Sequence, residues 1–394
     1  MAVLPFQNMS GDAEQEYFAD GMAEEIITAL SRFRQLFVIA RNSSFTYKGR
    51  AVDVKLIGRE LGVRYVLEGS VRKSANRLRI TGQLIEAATG THLWADRFDS
   101  QLDDVFKLQD DVTATVVGII APTLEKAEIE RAQRKPTENL DAYDHYLRGM
   151  VNLHQMTNRE AVDAALRLFR RAIELDPAFA PAYGLAAHCF AVRKFQGWTT
   201  DRLRERTEAA KLARRAVELS KDDAAVLAFA AYVFGSVVGA LDDGVGFVDR
   251  ALQLNPNLAM AWHVSGWLRV WGGKPSTAIE HFAHTIRQSP LDPFIAYAQV
   301  GTAHAHFFAG HYDEASAWAR MALRELPDLI PALRMAAASD ASAGRMDSAK
   351  KTMARMRQVD PTRSIANLGD VLGPYGPEEF AKYAEGVRKA GLPE

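Results

Sequence analysis

Arg170-Arg171-Ala172-Ile173-Glu174-Leu175-Asp176-Pro177 is the stretch that decides the fold, because the chain repeats it. Residues 249–256 have the same order of charged, small and apolar residues, again closed by proline. Weaker copies end at Lys221, Pro290, Pro327 and Pro361. Most of these ends lie about 34 residues apart, and a proline-closed period of that length is typical of a solenoid of helix pairs. The sequence therefore predicts an all-α solenoid over more than half of the chain.

The repeats also share a glycine followed five positions later by an alanine. The pairs are Gly273/Ala278, Gly310/Ala315 and Gly344/Ala349. We expect the glycine to end the first helix at positive φ and the alanine to let the second helix pack closely. The pattern predicts about six helix pairs in residues 141–361, a linker at 131–140 and a C-terminal capping segment at 362–394. Gly244 replaces the expected alanine in one of the two least regular units.

Residues 1–130 have the pattern of an α/β domain. Strands are predicted at 2–6, 36–40, 64–72, 77–85 and 92–98, and helices at 14–32, 54–61 and 103–132. Leu78, Ile80 and Leu84 alternate with polar neighbours, as expected for a sheet with one solvated face. This order of elements predicts a mixed sheet covered by helices.

Several motifs in these residues resemble a known family. Ala2–Phe6 with Ser10–Asp12, then Phe18–Met22, Val66–Val71 and Leu93–Phe98, resemble the TolB amino-terminal-like domain. The repeats that follow resemble tetratricopeptide repeats. In bacteria this pair of domains commonly forms the C-terminal region of class III adenylate/guanylate cyclases or of winged-helix transcriptional regulators. The resemblance therefore implies a module of a bacterial signalling protein.

The composition excludes several classes of function. The net charge of −1 gives no overall field that would attract nucleic acid or anionic lipid. The single cysteine, Cys189, excludes an intramolecular disulfide and a multi-cysteine metal site, and we expect it to be a buried packing residue. Residues 224–241 lack charged side chains, but flanking aspartates and the repeat register favour a buried helix over a membrane span. No signal-peptide pattern is present, so we expect a cytoplasmic protein.

No motif in the chain predicts catalysis or a cofactor. Residues 272–276 come nearest to a phosphate-binding loop, but Pro275 takes the place of the required Ser or Thr. The glycines of 244–246 follow no strand, so a dinucleotide loop is not predicted. The histidines that could suggest a metal site are His281, His284, His304, His306 and His311. No carboxylate or cysteine completes a recognised ligand set, which favours surface or groove residues. We therefore expect no enzyme activity, no cofactor and no metal.

Two sets of residues are candidates for ligand binding. In the α/β domain, Asn8, Ser10 and Asp12 follow the first strand, where ligands bind in many α/β sheets. Arg41 and Ser43 are expected on the same rim. The alternative for Asp12, which we favour, is a helix N-cap.

The second set belongs to the solenoid. First helices of such repeats line a groove that binds extended peptides or partner helices. The candidates for this groove are Trp262, Arg269, Tyr297, His304 and Arg334. The alternative for these residues is core packing or the outer surface, and we favour it for Trp262.

Together these features predict a non-catalytic regulatory module that binds a protein partner or a second copy of itself. No nucleic-acid or membrane partner is expected. The alternative is the C-terminal fragment of an adenylate/guanylate cyclase whose catalytic domain lies upstream. A periplasmic protein in the manner of TolB would need an export signal, which this sequence lacks.

Overall fold

The computed structural model of this 394-residue chain describes residues 1–10, 16–33, 36–50, 52–74, 77–101, 105–134, 141–289 and 294–394. The described residues form two units, Met1–Ala127 and Glu128–Glu394, and the division falls inside a long helix. Residues 135–140 of the predicted linker lie outside the described residues, whereas 131–134 belong to that helix.

The first unit is built on a mixed sheet, as predicted. Its elements are β1 (Ala2–Val3), β2 (Gln7–Asn8), α1 (Glu16–Leu30), α2 (Arg41–Ser44), α3 (Val54–Glu60), β3 (Tyr65–Ser74), β4 (Arg77–Glu86), β5 (Thr91–Gln101) and α4 (Val105–Arg134). β1 and β2 pair with β3 in parallel, and β3, β4 and β5 form an antiparallel meander. Leu78, Ile80 and Leu84 of β4 are buried, so the predicted alternation is confirmed.

The first edge of the sheet is interrupted at Pro5, which has no N–H to donate. Backbone hydrogen bonds resume on both sides: Leu4 N donates to Leu67 O at 2.8 Å, and Met9 N donates to Val71 O at 2.7 Å. The ring of Phe6 lies over Gly69, where a Cβ atom would come within 2.7 Å of it. Gly69 is therefore needed to let the buried Phe6 side chain pack on the sheet.

The prediction of a strand at residues 36–40 is wrong. This segment has no regular structure, although Ile39 N donates to Met1 O at 2.9 Å and the Met1 amino group donates to Phe37 O. The Phe37 side chain is 75% exposed. An apolar run predicts a buried strand only if a partner strand covers it, and these contacts are too few for a ladder.

The second unit contains six helix pairs in its described residues. They are α5 (Ala142–Leu153) with α6 (Arg159–Leu175), α7 (Ala180–Phe195) with α8 (Arg202–Leu219), α9 (Ala224–Val233) with α10 (Leu241–Leu254), α11 (Ala259–Trp271) with α12 (Pro275–Gln288), α13 (Ile295–Ala309) with α14 (Tyr312–Glu325), and α15 (Ile330–Ser342) with α16 (Met346–Val359). A C-terminal segment follows, with α17 (Ile365–Leu368), a 3₁₀ turn (Gly369–Val371) and α18 (Pro377–Lys389). This unit is a solenoid of the tetratricopeptide-repeat type.

The predicted roles of glycine and alanine in the repeats are confirmed. Gly273, Gly310 and Gly344 have φ values of 67°, 86° and 80° and end their first helices. The paired alanines are fully buried: Ala278, Ala315 and Ala349. Each turn therefore uses a backbone conformation that only glycine adopts without strain, and each second helix packs closely through its alanine.

From α7 onward, successive first helices pack against one another, and the second helices α8, α10, α12 and α14 each pack between two first helices. The first helices therefore line the inner side of the solenoid. We call the face formed by α7, α9, α11, α13 and α15 the groove.

The irregular repeat has a local cause. Residues 234–238 extend α9 as a π-helical turn that ends at Gly239, where φ is 77°. A Cβ atom on Gly244 would lie 2.8 Å from Ala231 O and 3.2 Å from Gly235 N. The glycine in place of alanine thus allows α10 to touch the backbone of α9.

None of the helices in the described residues combines the length and the apolar character that a membrane span requires.

Candidate peptide-binding groove

Aromatic side chains run along the groove from one first helix to the next. Phe195 of α7 stacks on Trp271 of α11 at 6.2 Å between ring centroids, and Tyr232 of α9 lies 5.7 Å from the same indole. Trp267 continues the row, 5.6 Å from Trp271 and 5.2 Å from His304 of α13. Rings in such a row offer flat apolar surfaces with polar edges, which suit extended polypeptide ligands.

The chain's own C-terminal segment (residues 363–392) lies in this groove. Gly373 lies close against the indole of Trp271. A Cβ atom added to Gly373 would be only 2.0 Å from Trp271 Nε1. The Tyr375 ring lies parallel to the His304 ring with centroids 6.1 Å apart. A hydrogen bond of 2.8 Å joins the Tyr375 hydroxyl to His304 Nδ1. The groove therefore already recognises one stretch of polypeptide by shape, stacking and hydrogen bonding.

Both ends of the C-terminal segment are also fixed to the solenoid. At one end, α18 packs on α15, where a Cβ atom on Gly386 would lie 3.1 Å from Ala338 Cβ, and Tyr383 is fully buried. At the other end, Asp370 forms an ion pair with Arg202 of α8. The segment thus covers the last repeat and also reaches back to the second.

A buried arginine lies beneath this segment. Arg334 of α15 is 2% exposed. Among the described residues it forms no salt bridge, and its Nε atom has no hydrogen-bond partner. The neighbouring Tyr383 hydroxyl faces the guanidinium; burial raises the pKa of this hydroxyl, and the charge of Arg334 and a hydrogen bond from it act in the opposite direction.

Burial keeps the groups around Arg334 uncharged. It lowers the pKa of His304 to about 3, and the positive charge of Arg334 acts in the same direction. Burial raises the pKa of Tyr375 well above its usual value, and it also raises the pKa of Tyr383. At neutral pH, these three groups are neutral and the guanidinium is charged.

Two other arginines of the solenoid, Arg193 and Arg345, have carboxylate partners. Arg193 pairs with Glu205 at 2.9 Å and also with Asp163. Arg345 pairs with Asp340, which is buried, at 2.8 Å. Burial alone would raise the pKa of Asp340, but hydrogen bonds from neighbouring hydroxyl and guanidinium groups outweigh burial and lower it. Arg334 differs from these residues because its charge is not matched.

The structure gives the five groove candidates different surroundings. It brings His304 and Arg334 together under the C-terminal segment. Trp262 instead donates from Nε1 to Pro256 O at 2.7 Å and stacks on His284 of α12 at 4.4 Å. Arg269 pairs with Asp249 of α10 at 2.6 Å. Tyr297 is half-buried, and burial raises its pKa to about 12.

The sequence did not identify three residues of this site, Trp271, Tyr375 and Tyr383. A signal was present, since Gly373-Pro374-Tyr375-Gly376-Pro377 places one aromatic residue among helix breakers. The repeat pattern alone places this run only within the C-terminal capping segment predicted at 362–394. Repeat periodicity describes stacking along the solenoid, so it cannot show that a segment folds back into the groove.

The candidates of the α/β domain have structural partners. Ser10 N donates to Asn8 Oδ1 at 3.0 Å, and the Ser10 hydroxyl accepts from Lys73 N at 2.8 Å, which closes the loop onto the end of β3. Arg41 pairs with Glu24 of α1 at 3.0 Å, and the exposed Ser43 accepts from the Thr46 hydroxyl through its carbonyl oxygen. Asp12 lies outside the described residues.

The histidines form no metal site in the described part of the chain, where no group of three or more His, Cys, Asp or Glu side chains is suitably placed. His281 Nδ1 instead shares a hydrogen bond of 3.0 Å with the Ser265 hydroxyl. Cys189 is fully buried, and burial raises the pKa of its thiol far above the usual value. A thiol in that state is a packing group and a poor nucleophile.

Comparison with known proteins gives matches to parts of this chain. Residues 1–115 match the family described as the HilA/YgeH-like transcriptional regulator, second domain. The match names neither TolB nor its amino-terminal domain. Over 221 residues the chain is 46% identical to the putative adenylate cyclase 3 of Rhizobium meliloti (strain 1021). That alignment covers 55% of this chain and 37% of the relative, so the chain spans little more than a third of its length.

Parts of this chain are also similar to solved structures. The type IV pilus biogenesis factor PilW is 15% identical, with 56% of this chain and 94% of that chain covered and a TM-score of 0.42. A thermophilic TPR protein of Thermus thermophilus is 18% identical, with 50% and 98% covered and a TM-score of 0.40. The Cut9–Hcn1 hetero-tetramer of the APC/C is 16% identical, with 73% and 49% covered and a TM-score of 0.48.

Proposed function

We propose that this chain is a non-catalytic regulatory module that binds a polypeptide partner, or a second copy of itself, through the groove. One observation supports the proposal most strongly: the groove already holds residues 363–392 through ring stacking, a hydrogen bond and close backbone contact. A surface that accommodates one polypeptide segment in this way has the shape and polarity to accept another.

The α/β unit has a separate place in this proposal. We interpret it as a TolB-N-like domain, with Asn8, Ser10, Asp12, Arg41 and Ser43 as a ligand rim. Because Asn8 and Ser10 close the loop onto β3, whereas Arg41 binds α1, substitution of the first two will affect folding more than substitution of Arg41 or Ser43. Exchange of Ser43 to Ala is therefore the better probe of ligand binding at this rim.

A second candidate function is favoured by the similarity to the putative adenylate cyclase 3. In this alternative, the chain is the C-terminal region of a cyclase and regulates a catalytic domain encoded upstream. The in-frame genomic sequence before Met1 distinguishes the alternatives directly. For the residues present here, we expect no cyclic AMP or cyclic GMP from ATP or GTP with Mg²⁺ or Mn²⁺. Measurable product would contradict the proposal that this chain is non-catalytic.

Selection of short displayed peptides on the full chain tests the groove. We expect the selected peptides to slow amide hydrogen exchange in α11, α13 and α15, which line the groove. The solvent-facing sides of α12, α14 and α16 serve as the internal control. Protection confined to those second helices, or to the first unit, would contradict binding in the groove.

A further inference from the structure

The unpaired charge of Arg334 indicates what kind of ligand the groove is built to accept. Charged groups this deeply buried are normally paired with an opposite charge, because removal from water costs far more free energy than packing alone returns. Arg334 is 2% exposed and has no salt bridge among the described residues. Arg334 is therefore a buried cation of the groove that is suited to an anionic ligand.

The C-terminal segment does not supply that anion. Its Asp370 carboxylate pairs with Arg202 of α8, which belongs to a different repeat from α15. The Glu379 carboxylate lies beside Gly376 of its own segment: a Cβ atom added to Gly376 would be 2.4 Å from Glu379 Oε2. Instead, the neutral phenol of Tyr383 lies beside Arg334, next to the Tyr375 and His304 rings.

The part of the segment above the groove can be replaced without unfolding a helix. Residues 372–376 form no regular structure, and Tyr375 N donates to Gly373 O at 2.9 Å, within the segment itself. Gly373 contacts Trp271, and Tyr375 contacts His304 and Phe308. Leu372 is buried in the hydrophobic core of the last repeats. A competing polypeptide has to replace these contacts, including the burial of the Leu372 side chain.

We propose that Arg334 anchors a carboxylate of a partner polypeptide that takes the place of residues 372–376, with an aromatic side chain where the Tyr375 ring now lies. The aromatic requirement follows from the row of rings, and the carboxylate requirement follows from the unpaired guanidinium, which can hold a carboxylate with two parallel hydrogen bonds. This inference rests on the proposed function, since it specifies the ligand of the same groove.

The test uses pairs of short synthetic peptides on the full chain. Each peptide contains one Tyr and one Glu at a defined spacing, and its partner contains Gln in place of Glu. Binding is measured by calorimetry to the wild-type chain and to Gly373→Ala. In that variant the new Cβ would lie 2.0 Å from Trp271 Nε1, so the segment or the Trp271 ring must shift and the contact between them is weakened. Hydrogen exchange identifies the helices that each peptide protects.

We expect the best Glu peptide to bind at least about 10-fold more tightly than its Gln partner, as for a hydrogen bond to a charged group. The difference should disappear in Arg334→Gln. It should persist in Arg324→Gln, a matched control that removes an exposed arginine of α14. Melting of Arg334→Gln, followed by circular dichroism, should show a Tm equal to or above that of the wild-type chain, because an unmatched buried charge is removed.

Three outcomes would overturn the inference. Equal binding of Glu and Gln peptides, with α11, α13 and α15 protected, would refute the carboxylate anchor and leave the proposed function intact. Failure of every peptide to protect the groove, even in Gly373→Ala, would refute the proposed function as well. A Gly373→Ala chain that becomes dimeric, with α18 still protected, would assign the groove to the segment of a second copy.

Discussion

Gly244 shows how one side chain controls the distance between two helices. It lies where the repeat pattern has alanine, and a Cβ atom on it would collide with the backbone of α9. Gly246 lies two residues further along the same helix, and a Cβ atom there would meet no atom within 4 Å. The two glycines therefore form a matched pair in which only the packing differs.

We predict that Gly244→Ala lowers the free energy of unfolding by about 1–3 kcal/mol, because the new methyl group overpacks the contact with Ala231. Gly246→Ala should raise it by up to about 1 kcal/mol through helix propensity. Urea unfolding followed by circular dichroism measures both variants. Equal effects of the two substitutions would contradict the close contact between α10 and α9.

His304 is the residue whose protonation should weaken the groove. Its pKa in the folded chain is about 3, below the ordinary value. The unfolded chain therefore binds more protons as pH falls, so the contribution to stability is complete above about pH 6.5 and declines as pH falls below that value. Arg334, Tyr375 and Tyr383 face the imidazole, and the positive charge of Arg334 further disfavours protonation.

We predict that this residue alone makes the chain about 2 kcal/mol less stable at about pH 5 than at about pH 8. His188 and His263 also have pKa values lowered by burial, to about 4, so they contribute in the same direction. The informative quantity is therefore the difference between the wild-type chain and His304→Asn in urea unfolding at both pH values. An unchanged pH dependence in His304→Asn would show that the imidazole is not held neutral.

At the scale of elements, the C-terminal segment depends on the Tyr375 ring more than on its hydroxyl. We predict that Tyr375→Phe, which loses the bond to His304, lowers the opening free energy of α18 by about 1 kcal/mol. Tyr375→Ala also loses the stacked ring and should lower it by about 2–3 kcal/mol. Native-state hydrogen exchange on α18 amides measures both values.

Phe37→Ala is the control for this prediction, because it removes an aromatic ring that is 75% exposed and belongs to the first unit. It should leave exchange in α18 unchanged. If α18 exchanges equally in Tyr375→Ala and in the wild-type chain, the segment is held by α18 alone and Tyr375 does not anchor it.

Elements whose residues follow a local pattern could be predicted from the sequence. The glycine and alanine positions of the repeats and the alternation in β4 each reflect a contact that recurs at fixed spacing. The strand predicted at residues 36–40 is not formed, because an apolar run does not reveal whether a partner strand exists. The contact between Tyr375 and His304 could not be predicted for a related reason. The two residues are 71 positions apart, and this spacing does not recur in the repeats.

At the scale of the whole chain, two comparisons match this chain to proteins with different names. The first unit matches a domain of a transcriptional regulator, whereas an alignment over part of the chain matches a putative adenylate cyclase. A fold or a family name does not by itself establish function, which depends on the site. The function of the solenoid is therefore better argued from the groove than from either name.

The central claim is that the groove binds polypeptide and that the C-terminal segment occupies it. A synthetic peptide with the sequence of residues 365–392, added to the full chain, tests this claim directly. A segment that fills its own site reduces the apparent affinity of a competitor. Calorimetry should therefore show binding at least about 10-fold tighter to Gly373→Ala than to the wild-type chain. Equal affinities, or no binding to Gly373→Ala, would contradict the account.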